Sequence, residues 1–314
     1  MIISSTVAAF VPMFIYLLLI WRFDQYDREP FILIIRNYIW GALGAIFFAL
    51  VGSYILSFFI SIFLHDKESL KRIESILIAP LVEETTKGIF LFFTVRSRKF
   101  DNMTDGIVYG GAIGLGFGMT ENFLYFIVNT GSLTAWVSLV IVRTLFTAVM
   151  HCVSTATLGA FLGYAKFKNL FYKLTFPLLG LVSAMFIHFA WNLMITFEKT
   201  EFLGFIFMLI TILIFIVVFS ISVTNDKNTV YNELLEEAKN GIIPMNHVPI
   251  LNSPKRNNFG WIDEKIRKLY IQAATTLAFR KMQLRNSNGY NRIYYENDVL
   301  HYRNYIQTLL AETK

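Results

Sequence analysis

The chain has 314 residues, 55% hydrophobic and 16% charged, with a mean hydropathy of +0.52 and a formal net charge of +6. This composition leaves too little polar surface for a soluble globular domain and places the chain among integral membrane proteins. The basic excess flanks the apolar runs and fills the C-terminal region, where it serves topology and anionic headgroups; no aromatic-basic module accompanies it, which argues against nucleic-acid binding.

In chain order, apolar runs of about 20 residues, the length that crosses a hydrocarbon core, predict seven transmembrane helices at 2–21, 38–64, 75–95, 106–128, 135–165, 174–197 and 202–223. The first run has no basic leader and no small-residue cleavage site, so it is read as an uncleaved span. Arg22, Arg28 and Arg36, then Arg96, Arg98 and Lys99, then Lys166, Lys168 and Lys173 populate alternate connections. By the positive-inside rule the N-terminus is expected outside and the C-terminus in the cytoplasm. From Thr224 the composition turns polar, which sets a boundary between a core at 1–223 and a cytoplasmic extension at 224–314. In that extension helices are expected at 230–239, 261–285 and 292–312, the last two as a hairpin, with a proline-rich linker between the first and second. The fold class is thus all-α: a polytopic bundle of about seven membrane helices with a partly helical C-terminal extension.

The third run, LIAPLVEETTKGIFLFFTV, carries Glu83, Glu84 and Lys87 where each ionised group costs roughly 2.5–3.5 kcal/mol by insertion scales. Glu83 and Lys87 lie four apart and are expected to pair, with Glu84 about 100° round the helix and left for chemistry. Pro80 is expected to loosen the helix one turn earlier. In the fourth run Gly106, Gly110, Gly114 and Gly118 recur at the spacing that lets helix backbones approach, so Glu121 is expected in a tightly packed setting. The fifth holds Arg143, read as snorkelling or pairing with a carboxylate, then His151 beside the single cysteine, Cys152. One cysteine excludes an internal disulfide, and helix neighbours point about 100° apart, so a Cys–His thiol site is set aside. In the sixth run His188 and Asn192 share a face.

A rise of about 1.5 Å per residue puts Glu84 ~14 Å, Glu121 ~10 Å and His188 ~14 Å inside the outer ends of their runs. His151, at ~24 Å, reaches that level only if the long fifth segment projects beyond the bilayer. Charges that cannot face lipid cheaply are expected to converge in the bundle interior. Two carboxylates and two imidazoles, with an asparagine and a lysine nearby, are ligand types for a divalent ion such as zinc, leaving a glutamate as general base. The same groups also suit an ion- or proton-coupled transporter, or a non-catalytic scaffold whose buried charges fix helix register. The absence of a repeat between halves weighs against the transporter.

Four stretches, EETTK (83–87), FGMTENFLY (117–125), RTLFTAVMHCVST (143–155) and HFAWN (188–192), resemble in order the motif set of the PrsW family of intramembrane proteases, relatives of the CAAX-processing membrane proteases. The short DREP at 27–30 is similar to the family too, and the likeness stops at about residue 223. It implies that Glu83 and Glu84 match the essential glutamate pair, Glu121 the second-motif acid, His151 the histidine of the fifth helix, and His188 and Asn192 the last motif. On that resemblance the catalytic set is Glu83, Glu84, Lys87 and Asn192, and the metal set Glu121, His151 and His188. Glu83 or Glu84 is the expected base, Lys87 the partner of Glu83, and His188 with Asn192 the source of ligation or oxyanion stabilisation. Zinc is the expected metal, although relatives of the CAAX type are argued to use glutamate-activated water alone, and both mechanisms stand open. The implied substrate is a membrane-anchored protein, by analogy with the first cut of an anti-sigma factor, and the extension is a candidate docking place for a cytoplasmic partner. No HExxH, GxGD pair or GxSx serine supports another intramembrane protease design.

Overall fold

The computed structural model describes residues 2–26, 28–98, 100–129 and 131–312. Asp27 of the DREP stretch and Lys99 of the basic flank lie outside the described residues. Among those described, every regular element is helical. α1 (Ile2–Phe23) is followed by α2 (Phe31–Ile39), which runs through a π-helical turn, Trp40–Ala45, into α3 (Ile46–Ser61). α4 (Lys67–Ile73) continues through a second π turn, Glu74–Ile78, into α5 (Ala79–Val95). After α6 (Met103–Val128), α7 (Leu133–Val142) passes through a third π turn, Arg143–Thr147, into α8 (Ala148–Ala165), and α9 (Leu170–Thr196) and α10 (Glu201–Lys239) follow.

Among the described residues, six helices are long and apolar enough to cross a membrane: Ile2–Phe23, Phe31–Ser61, Met103–Val128, Leu133–Ala165, Leu170–Thr196 and Glu201–Lys239. Their exposed side chains include many Leu, Ile and Phe, as an integral membrane protein requires. The third expected run is not among the six. Lys67–Val95 is long enough when followed through its π turn, but Glu83, Glu84 and Lys87 lower its apolarity.

Two compact units make up the chain, one of Met1–Phe23 and Glu29–Phe219, the other of Asp24–Arg28 and Ser220–Lys314. In the first, α6 is the central element, buried from Thr104 to Met119. A capping box starts it, Asn102 Oδ1 accepting from Asp105 N and Asp105 from Asn102 N. The glycine spacing has a structural use here. A Cβ at Gly106 would stand 2.0 Å from Gly159 O, at Gly110 2.4 Å from Thr155 O, and at Gly114 2.1 Å from His151 O. α8 therefore lies antiparallel on this face with backbone against backbone, which only a residue without a side chain permits. The contact seats His151 on α6 two turns before Glu121.

A π turn leaves a backbone carbonyl without its regular helical partner. In two of the three, a side chain from another helix takes up such a carbonyl. Thr120 Oγ1 donates to Ala42 O at 2.7 Å, and Asn192 Nδ2 donates to Ser75 O at 2.8 Å.

In the second unit, the expected helix at 230–239 is the last part of α10 rather than a separate element. The expected linker holds α11 (His247–Leu251) and a 3-10 turn, Pro254–Asn257, and the hairpin is α12 (Glu264–Arg285) with α13 (Gly289–Ala311). Leu234, Tyr270, Leu277 and Ile306 are central to its core. Buried Lys281 bonds Glu237 at 2.8 Å, Glu236 at 3.1 Å and Glu233 at 3.3 Å, while Arg303 grips Glu237 through two 2.7 Å bonds. Lys281→Met should cost about 2 kcal/mol, because Arg285 and Arg303 still neutralise part of the acidic group. Hydrogen exchange across α12 and α13 of the full chain should accelerate roughly thirtyfold; unchanged exchange would mean that the arginines suffice.

Candidate active site

Pro80 is the second residue of α5 and follows the Glu74–Ile78 π turn, so the glutamate pair begins one turn into a regular helix. Glu84 and Lys87 are fully buried, and the Glu83 side chain is 14% exposed. Lys87 Nζ lies 2.8 Å from Glu84 Oε1 and 3.6 Å from Glu83 Oε2. The closer pairing is thus at three residues rather than the expected four, and the glutamate expected to remain open is the more tightly held. The ammonium also stands 3.9 Å from the centroid of the Phe117 ring, a cation–π contact in a dry setting.

His151 from α8 and His188 from α9 meet with their rings almost perpendicular and centroids 4.9 Å apart. An ammonium has only protons to offer, so His151 Nδ1 accepts from Lys87 at 2.9 Å, and its Nε2–H donates to Glu121 Oε2 at 2.6 Å. His188 Nδ1 donates to the Glu84 carboxylate at 3.0 Å, which leaves Nε2 as the bare nitrogen. These tautomers follow from the hydrogen-bond network. Both bare nitrogens turn to one atom. Glu83 Oε2 lies 4.0 Å from His151 Nδ1 and 3.9 Å from His188 Nε2.

Glu83, His151 and His188 each offer a ligand atom within 4.8 Å of the other two. Glu83 Oε2 is buried without a hydrogen-bond partner, an arrangement that is costly unless something else meets the oxygen. Each imidazole places its other ring N–H on a carboxylate, the pattern that orients metal-binding histidines. One carboxylate oxygen and two imidazole nitrogens match the protein ligands of open zinc sites. The residues therefore fit a divalent ion, provided the ligand atoms draw closer together and Lys87 yields the His151 lone pair.

Two expected members stand elsewhere. Glu121, expected as a ligand, lies behind His151 on its far ring nitrogen. Arg143 Nη2 holds it at 2.8 Å, while Arg143 Nε donates to Asn122 Oδ1 at 2.9 Å and the guanidinium covers the Tyr125 ring at 3.7 Å. Asn192 shares α9 with His188, but its amide is engaged at Ser75 O, where it ties α9 to the π turn before α5. Cys152 is buried behind the histidine face. Three contributors were not singled out from the sequence. Thr155 donates to Glu84 Oε2 at 3.2 Å, Asn122 anchors Arg143, and Phe117 packs on His151 at 5.1 Å. The signal was available for two of them: Thr155 lies four residues after His151 and Phe117 four before Glu121, each on the same helical face.

Residues 29–221 match the sequence profile of a family described as PrsW family intramembrane metalloprotease. The chain is 32% identical over 145 residues to Protease PrsW of Geobacillus kaustophilus, covering 46% of this chain and 59% of that protein. It is 29% identical over 177 residues to Protease PrsW of Bacillus subtilis, covering 55% and 74%, and 34% identical over 139 residues to that of Oceanobacillus iheyensis, covering 44% and 59%. No solved structure matches the chain.

Proposed function

Since the chain belongs to the PrsW family of intramembrane proteases, we propose that it hydrolyses a peptide bond of a membrane-anchored protein within the bilayer. One observation carries this reading: two histidines from separate helices, each braced by a carboxylate, turn their unprotonated nitrogens to a buried Glu83 oxygen that has no hydrogen-bond partner. In this reading α5 is a seventh crossing. Its charges are tolerable because Lys87, Glu84 and both imidazoles satisfy one another away from lipid. The N-terminus lies outside a bacterial plasma membrane, residues 1–223 form the protease core, and residues 224–314 form a cytoplasmic extension. An anti-sigma-factor-like protein is the substrate class that the family suggests.

Glu83, His151 and His188 would hold the divalent ion, with zinc favoured by the donor set. When bound, it supplies a water of lowered pKa and polarises the scissile carbonyl. The remaining work belongs to the chain. Glu83 accepts the proton of the attacking water and returns it to the amide nitrogen as the C–N bond breaks. Glu84 cannot take that role while Lys87, His188 and Thr155 occupy its two oxygens. It and Glu121 act as positioning residues for the two rings, and Arg143 holds Glu121 in turn. Lys87 supplies the counter-charge that lets two adjacent carboxylates share a buried helix face.

The test combines metal content with cleavage. Purified full-length protein in proteoliposomes should convert a single-span substrate into two fragments and retain a divalent metal by elemental analysis; His188→Ala should lose both while keeping its helical circular-dichroism signal. Wild-type metal content in the variant would remove His188 from the ligand set. Ion or proton flux without any cut would replace the protease with the transporter.

A further inference from the structure

On other faces of the helices that carry His151 and His188, the chain forms a second feature. α6, α8, α9 and α10 enclose a groove of about 550 Å³, open at the side and lined almost wholly by apolar groups such as Ile107, Phe161, Phe186 and Ile214. Tyr164 closes one end, stacked on Phe176 at 5.2 Å. At that end Lys168 Nζ lies 5.1 Å from the Tyr164 ring, and Lys173 follows Tyr172, whose ring packs on Tyr164 and Phe176. Both lysines are exposed, and among the described residues neither has a carboxylate partner.

We propose that this groove binds one acyl chain of an anionic phospholipid, with the headgroup phosphate met by Lys168 and Lys173. Length and charge both select this occupant. Eleven residues separate Val153 from Tyr164, Phe176 from Ile187 and Phe207 from Val218. Each interval rises about 16 Å, close to one leaflet of a hydrocarbon core of about 30 Å. A transmembrane helix or a second copy of the chain would need both leaflets. The cations lie at one end only, as a lipid with a single charged head requires, and on the flank that the positive-inside rule assigns to the cytoplasm, where anionic lipids concentrate. The site depends on the helices being embedded in a bilayer and is independent of the proteolytic chemistry.

Native mass spectrometry tests it on the full chain, purified in detergent with equal amounts of phosphatidylglycerol and phosphatidylcholine. One phosphatidylglycerol per chain should be retained, with roughly thirtyfold preference from two near-surface lysines. Lys168→Gln with Lys173→Gln should bring the preference near unity while a lipid still binds, and Thr211→Trp, which fills the groove, should release both lipids. Equal retention by the wild type, or an unchanged preference in the double variant, overturns the proposal. So does a dimer or a bound peptide in place of lipid. Should Thr211→Trp fail to fold, a phosphatidylglycerol with a photoreactive acyl chain decides the location: adducts on α8, α9 and α10 side chains of the groove support the site, and adducts elsewhere overturn it.

Discussion

Glu83→Gln should leave a folded, membrane-inserted protein that cuts about a thousandfold more slowly, the usual range for loss of a general base. The substitution keeps the shape of the side chain and removes the negative charge with which Glu83 would accept the proton of water and with which it faces both unprotonated imidazole nitrogens. Glu84→Gln should fail in a different manner. Lys87 would keep as its one carboxylate the Glu83 oxygen 3.6 Å away, and His188 Nδ1 would lose the carboxylate that orients it. Breaking a fully buried pair from one side costs about 3–5 kcal/mol, so thermal stability should fall together with cleavage. Parallel assays of substrate cutting and thermal unfolding separate the two glutamates. Near-wild-type cutting by Glu83→Gln would end the base assignment, and wild-type stability in Glu84→Gln would end the anchoring role.

Gly114→Ala is the second large effect. Its new methyl would meet the His151 carbonyl oxygen at 2.1 Å, well inside any contact real atoms make, so α6 and α8 must part. Overpacking of this kind costs about 1–3 kcal/mol, and Val in the same place should exceed that range. Because the displaced atom belongs to His151 itself, the 2.6 Å bond to Glu121 should lengthen and cleavage should drop at temperatures where the protein remains folded. Gly131→Ala is the control. A Cβ there has only Asn129 Oδ1, at 3.9 Å, within reach, and both stability and activity should be unaffected. Equal behaviour of the two variants would show that the close α6–α8 approach is not what seats the histidine.

Much of this arrangement is legible in the sequence. Apolar runs located the six long apolar helices, four of them within about four residues at both ends, because length and hydropathy are local properties of the chain; the second begins seven residues earlier than expected, at Phe31, and the last runs on to Lys239 through the polar stretch where the run was expected to stop. The spacing of Gly106, Gly110 and Gly114 announced a close helix contact, yet a stripe names no partner; that its partner is α8, in a register that puts His151 opposite Gly114, depends on packing. Ionisable residues in Glu83, Glu84, Lys87, Glu121, His151 and His188 pointed to one interior cluster, since lipid excludes the alternatives. Their inner arrangement was not readable. Whether Lys87 leans to the residue three or four positions back is a rotamer choice, and Glu121 came to lie behind His151 because Arg143 competes for it. The condition attached to His151, a fifth segment longer than a bilayer needs, is met by the 33-residue run of α7 and α8, and His151 does meet His188. Asn192 illustrates a different blind spot. Nothing in the sequence marks Glu74–Ile78 as a π turn, so the carbonyl that claims the Asn192 amide was invisible.

The π turns bear on how such a chain can change over generations. A turn of this kind amounts to one surplus residue absorbed into an α-helix. The segment Arg143–Thr147 can therefore lose a residue and relax into regular helix with the flanking stretches still facing the same neighbours, His151 included. Loss of one residue between Gly106 and Gly118 would instead swing Glu121 by about 100° against everything before it. Length variation among descendants of this protein should accordingly collect at the three π turns and spare the glycine-lined helix.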